Sequence, residues 1–309
     1  MNALFHPARH RTLIRAATAL VLALGAGSAV AGDENTPTTD GTHAASDDPD
    51  SWRFRATAYA WLTSTSGNVT ARGQTVDYNA NFVQLVQKSD SLAAWMSYFE
   101  ASKGKVGLYA DFVWTKLGFS NSTASYRNLI AGLQISSVAN QALTLSMTIV
   151  EVGGTYEVWR WTSQNGSVTA LDALAGFRYW NTSVDMTFDR NTTADLSRLG
   201  FETTRSFAIA HDGGLNWVDP LIGFRLRHQF TPNQELLVRG DVGGFGLQSP
   251  FAWQALAGYS YQWQFNGYAL AGVVGYRALA TSYSTGYGPD TRGLDILMHG
   301  PIVGASLRF

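Results

Sequence analysis

The chain contains no cysteine in 309 residues. No disulfide staples the fold, and neither a thiol nucleophile nor a cysteine-ligated metal is available. Beyond one stretch near the N-terminus, no apolar run approaches the roughly 20 residues that a helical membrane span needs. An excess of one charge is missing too. The 22 Lys and Arg nearly match the 23 Asp and Glu, which argues against nucleic acid as a partner. Histidine is sparse, with six in all; His6 and His10 fall in the expected signal, His43 in the leader and His228 on the lipid side, and the remaining His211 and His299 have no metal-ligand spacing. What remains is a long alternation of apolar and polar residues.

Residues Met1 to Ala31 carry three arginines (Arg9, Arg11, Arg15), an apolar run from Ala16 to Leu24, and the small-x-small triplet Ala29-Val30-Ala31. The run is about half the roughly 20 residues of a spanning helix, so a cleaved secretory signal over 1–31 is expected. The mature chain would then hold 22 − 3 = 19 basic residues against 23 acidic ones. Residues 32–51, read as GDENTPTTDGTHAASDDPDS, have too little apolar surface to offset chain entropy and are expected to form a disordered acidic leader.

From Trp52 onward the period is two. In Phe251 to Gln264, one side carries Phe251, Trp253, Ala255, Ala257, Tyr259, Tyr261 and Trp263, and the other Gln254, Ser260 and Gln262. Aromatics gather at the two ends of the apolar side with small residues between, as interfacial girdles do. Segments around Trp52, Val168, Leu215 and Gly267 repeat the pattern. With helical spans excluded, a closed antiparallel up-and-down transmembrane β-barrel over 52–309 is the expected all-β fold. Short turns fall at Lys103–Lys105, Trp161–Ser167, Thr231–Gln234 and Phe265–Gly267. Longer polar connections lie at Ser64–Asp90, Ser120–Gln141, Asp185–Gly214 and Ser284–Gly293, with a tight link at Ser249-Pro250. Counting back from Phe309 gives ten strands, with eight or twelve as alternatives. Within 64–90, Asn68 to Asn79 could form an extra hairpin and Phe82 to Lys88 one or two helical turns.

The last segment, Leu294 to Phe309, alternates to its end and stops on an aromatic residue. In this it resembles the terminal strand of Gram-negative outer-membrane barrels, where that aromatic belongs to the assembly signal. The stretches Trp217-Val218-Asp219-Pro220, Gly240-Asp241-Val242-Gly243-Gly244-Phe245-Gly246, Gly275-Tyr276-Arg277 and Gly300-Pro301 together resemble a largely uncharacterised proteobacterial family of outer-membrane barrels. The resemblance implies a location in the cell outer membrane. With the Phe309 end in the periplasm, the short turns fall inside, the long connections outside, and the even strand count puts both termini in the periplasm. Lipid, lipopolysaccharide and the barrel assembly machinery are the implied partners, and no cofactor, metal or catalytic residue is. The glycines lack G-x-G-x-x-G spacing and read as sites of close strand approach or a bulge.

The inward side is lined with charge. Acidic candidates are Glu100, Asp111, Glu151, Glu157, Asp172, Asp219 and Asp241. Basic candidates are Arg53, Arg55, Arg178, Arg225, Arg227, Arg239 and Arg277. Balanced charges of this kind pair and fill a barrel of about ten strands, so a narrow, structural barrel passing small solutes weakly is expected. The alternative is an anion-preferring small-solute porin, with Arg225, Arg227 and Arg239 as its constriction. A surface receptor or adhesin, or a rim-located lipid hydrolase, is a further alternative; for the latter His211 and His299 are the remaining histidines, with Ser282 or Ser284 expected near His299. No sequence around those serines supports hydrolysis, so an enzyme is not expected.

Overall fold

Alternation over such lengths has one stable outcome, a sheet with two unlike faces. The computed structural model describes residues 51–71, 73–120, 141–188 and 214–309. The expected signal segment, nearly all of the leader, and residues 121–140 and 189–213 (with His211), within two of the expected polar connections, lie outside the described residues. Among the described residues, twelve strands form one antiparallel sheet: β1 (Trp52–Trp61), β2 (Ser64–Ala71), β3 (Gln74–Ala80), β4 (Ser91–Lys103), β5 (Val106–Ser120), β6 (Gln141–Thr162), β7 (Val168–Phe188), β8 (Leu215–Thr231), β9 (Gln234–Gly243), β10 (Phe251–Phe265), β11 (Tyr268–Thr285) and β12 (Arg292–Arg308). A short helix, α1 (Phe82–Lys88), sits between β3 and β4, capped by Asn81 and Gln84 in reciprocal hydrogen bonds.

The ring closes through β1, which pairs with β4 on one side and β12 on the other. Ten strands make that ring, in the order β1, β4 and then β5 to β12. The two further strands do not enlarge it. β2 continues past β1 along the outer part of β12, and β3 folds back on β2 as a hairpin. Both the hairpin and the helical turn expected in 64–90 are therefore present, and the ring is neither eight- nor twelve-stranded.

Parity sorts the side chains as the alternation requires. Phe251, Trp263, Phe177, Ile222, Phe224, Val274 and Tyr276 lie exposed on the outer face, while Gln254, Asp172, Arg178, Arg225 and Arg277 are buried inside. Outward aromatics crowd the end that holds both Trp52 and Phe309, with Trp159, Trp161, Trp263, Phe265 and Tyr268. This is the near end of the barrel, and the opposite one is the far end. A bulge at Glu157–Trp159 in β6 helps build that belt, because the extra residue turns both Val158 and Trp159 outward while Glu157 stays inside. Phe309 stacks on Phe54 at 5.5 Å, and the two exchange backbone hydrogen bonds of 2.7 and 3.1 Å, so the last residue seals the closing seam.

The Gly-Gly-Phe-Gly stretch forms the far-end turn between β9 and β10. Gly244, Phe245 and Gly246 all have positive φ (89°, 52° and 73°), a run that only glycine-rich sequence enters readily. The connection occupies residues 244–250, wider than the Ser249-Pro250 link expected. The Gln248 side chain reaches back from it to accept the Val218 N–H at 2.8 Å.

Candidate functional site

The candidate site is the lumen, whose side chains stack in layers. Along β8 the inward positions run Arg227, Arg225, Leu221, Asp219 and Trp217 from the near end to the far end. The interior accordingly passes from ionic to apolar.

Nearest the termini, Arg55 and Arg308 converge on Glu235 at 3.3 and 3.2 Å, and Arg308 also donates to Gln262 Oε1 at 2.9 Å. Neither Glu235 nor Arg308 stood among the inward candidates. Parity was the available signal, since Arg308 shares a face with the inward Ser306. Arg53, counted as inward, lies instead exposed at the rim, donating to the Gly104 carbonyl at 3.4 Å.

The next layer is held by Asp172. Its Oδ2 accepts from Arg225 Nε at 2.8 Å and from Arg227 Nε at 2.9 Å. Arg225 then reaches Glu100 with both terminal nitrogens, at 2.8 and 3.0 Å, and Tyr98 Oη at 3.2 Å. Arg227 reaches Glu157 at 3.0 Å, which also holds Arg160 at 2.6 Å.

Above lies the most buried layer. Arg178 binds Glu151 at 2.6 Å and Asp241 at 2.8 Å, and all three side chains are essentially without solvent exposure. Arg239 binds the same two acids and lies over the Tyr109 ring at 5.0 Å. Gln254 links this cluster to Arg277 through hydrogen bonds of 3.0 Å to Asp241 and 2.8 Å from Arg277 Nε. Arg277 also binds Asp111 at 2.8 Å, shares Tyr59 with it, and lies over Trp61 at 4.9 Å. Each of Arg225, Arg227 and Arg239 thus engages two carboxylates; Arg225 and Arg239 are buried among them, while the Arg227 side chain keeps 24% of its surface exposed. Asp219 differs from the other acids. It is fully buried, accepts from Trp217 Nε1 at 3.0 Å through one oxygen, and its other oxygen has no hydrogen-bond partner among the described residues.

The far layer is apolar. Trp180, Trp217 and Tyr283 stack nearly parallel, at 5.4 and 4.4 Å between centroids and 8° between planes. Met96, Val113, Ile149, Leu279, Ile296 and Met298 pack around them. Sequence reasoning had not singled out this cluster.

Many of these contacts cross the lumen. Arg225 and Glu100 sit on β8 and β4, Arg277 and Asp111 on β11 and β5, and Arg55 and Glu235 on β1 and β9. In each case the strands stand four places apart in a ring of ten, one short of opposite. An arginine fork held by a carboxylate from the facing wall occupies the space a solute would need.

No family model and no curated protein matches the sequence. Solved barrels do resemble it. Ail, the attachment invasion locus protein of Yersinia pestis, aligns over 84% of this chain and 99% of its own at 9% identity and a TM-score of 0.32. The outer membrane protease OmpT from Escherichia coli covers 87% of this chain and 99% of its own at 9% identity and 0.35. The Pseudomonas putida toluene transporter TodX covers 84% and 89% at 10% identity and 0.26. Likenesses this distant assign no activity.

Among the described residues, those considered for hydrolysis do not assemble, and His211 lies outside them. His299 pairs in register with Ala278, and its Nδ1 lies 2.7 Å from the Tyr276 hydroxyl on the outer face. Ser282 pairs with Asp295, four residues further along β12, which separates it from His299 by about 13 Å at strand spacing. His228 is hydrogen-bonded to Thr169 Oγ1 at 2.8 Å, edge-on to the outward Phe230. Among the described residues, no group of three or more His, Asp or Glu could hold a metal ion.

Proposed function

We propose that this chain is an integral barrel of the Gram-negative outer membrane whose lumen is sealed by ion pairs and passes small solutes poorly. The observation that carries this reading is the set of arginine–carboxylate contacts joining nearly opposite strands. The apolar outer face with aromatics towards its ends supports the membrane location, because such a face is unstable in water and suits a bilayer. Both termini then lie in the periplasm, the signal is removed after Ala31, and residues 32–51 form a periplasmic leader. Phe309 serves as the assembly signal for the barrel assembly machinery, and lipopolysaccharide surrounds the far end. The far-end hairpin of β2 and β3 and the outer loops form the exposed surface.

Two measurements test this. Membrane fractionation with a carbonate wash, together with N-terminal mass analysis, should recover an integral protein beginning at Gly32. Planar-bilayer recordings of the refolded protein should show little conductance. Large, steady, anion-selective conductance would overturn the sealed reading and support a small-solute porin.

A further inference from the structure

The barrel wall is broken towards its far end. β1 and β4 pair from Trp52–Lys103 to Ala58–Ser97, and there the ladder stops. Beyond it β1 runs on to Trp61, paired only with β12, and Ser91 to Met96 of β4 are paired only with β5. The cause is a change of neighbour. A side chain at Gly300 would place its Cβ 2.1 Å from the Leu62 carbonyl oxygen, so only glycine lets Leu62 pack there, and Leu62 N–H donates to Pro301 O at 2.9 Å. The chain keeps its register on β12 from β1 into β2, whose other partner is the hairpin strand β3 and not β4.

The break is built in, because side chains take over the backbone partners. The Trp61 N–H donates to Met96 Sδ at 3.2 Å, and the Trp61 carbonyl accepts from Thr63 Oγ1 at 3.0 Å. On the other margin, Ser91 to Trp95 are exposed at both parities, including Leu92 and Ala94, which share the lumenal parity of Met96. Ala58 and Ser97 each stand six residues from the near end, or about 15 Å up the wall at strand rise and a tilt of about 40°. The seam therefore opens in the half of the bilayer facing away from the periplasm. An unpaired strand edge at hydrocarbon depth is unstable unless something covers it.

Directly behind the seam lies the apolar layer. Trp61 and Met96, the two residues at its margins, belong to that cluster. Three of the chain's five methionines, Met96, Met147 and Met298, line it, and thioether side chains repack around irregular guests. Below it, the Arg277–Asp111 and Arg178–Glu151 layer closes the way to the near end.

We propose that the β1–β4 seam is a lateral portal through which one acyl chain enters the apolar layer, making a blind binding site for an amphiphile. The polar head stays at the backbone edge of Ser91 to Trp95. The proposal rests on the outer-membrane reading above. The seam opens sideways into lipid, and the ionic layer ends the path, so the site holds a chain without passing it to the periplasm.

Photolabelling of the whole protein in nanodiscs tests this, using a fatty acid with a diazirine in its chain and, in a parallel arm, a phosphatidylethanolamine bearing the same chain. Adducts on the inward Trp61, Met96 and Met298 from either probe support the portal, and the arm that labels identifies a free amphiphile or a bilayer lipid as the source. Adducts confined to the outward Trp52, Phe54 and Val303 overturn the portal while leaving the membrane reading intact. Silence on both faces overturns both. Ala60 and Trp95 would be the next facing pair if the ladder zipped on from Ala58–Ser97, and the chain has no cysteine to interfere. In Ala60→Cys/Trp95→Cys, oxidation should lower inward labelling at least tenfold, and reduction should restore it. Inward labelling unchanged in the oxidised variant would overturn the proposal.

Discussion

Replacing Arg225 by alanine removes a tie between facing walls. The guanidinium makes four hydrogen bonds, to Asp172, to both oxygens of Glu100 and to Tyr98. The side chains of Arg225 and Glu100 are only 5% and 10% exposed, so the pair belongs with buried ion pairs, not with surface pairs worth about 0–1 kcal/mol. Removing one partner of a buried pair costs about 3–5 kcal/mol, chiefly because a charge is stranded. Asp172 is not stranded, since Arg227 still binds it at 2.8 Å. Glu100 is left with the Tyr98 hydroxyl at 3.0 Å. One orphaned acid instead of two places the expected loss near the lower bound, at about 3 kcal/mol. Folding titration into lipid vesicles reads that loss, and bilayer recordings should show conductance where the parent has little. Arg225→Ala/Glu100→Ala strands neither charge, so it should be more stable than Arg225→Ala while conducting at least as well. If the double variant loses the sum of the single losses, or if the parent already conducts as freely as both, the sealing role assigned to this pair is wrong.

Ala257→Arg, on the outer face of β10, should cost about 2–4 kcal/mol if that position lies near the bilayer middle, as vesicle folding titrations would show. Gln254→Arg should also be damaging, because the new cation would stand where Gln254 Oε1 accepts from Arg277 at 2.8 Å; equal stability to the parent would contradict the packed lumen. Gly223→Ala should destabilise by about 1–3 kcal/mol through overpacking, since its Cβ would lie 2.2 Å from the Gly240 carbonyl oxygen. Gly240→Ala, with nothing nearer than 4.0 Å, should be close to neutral in the same titration. Deleting Phe309 removes only its stack on Phe54 and two backbone bonds, while seven register pairs still join β1 to β12. Refolding in vesicles should survive that deletion, and the amount reaching the outer membrane in cells should fall; equal loss in both assays would argue against a signalling role.

The wall was legible in the chain because its rules are local. Alternation in Phe251–Gln264 assigns faces by a period of two, and Gly104 or Asn266-Gly267 marks a turn within a few residues. Hence the ten-strand ring, the hairpin and α1 could all be anticipated from short windows. Which arginine meets which acid was not legible. Arg225 and Glu100 are 125 residues apart, and Arg277 and Asp111 are 166 apart; they meet only because closure curves their strands to opposite sides of a narrow lumen. Parity placed Arg225, Arg227 and Arg239 inside but said nothing of their partners, so an open anionic constriction and a closed network read alike. The same holds for Trp180, Trp217 and Tyr283, whose stacking no one strand shows. The seam beside Met96 also required the structure, because pairing is a property of two strands at once. Sequence by itself determined which way most side chains point, the rim residue Arg53 and the bulged pair Val158 and Trp159 apart, since that follows from neighbours along one strand. Only the closed ring decided what each one touches, since that depends on distances across the lumen.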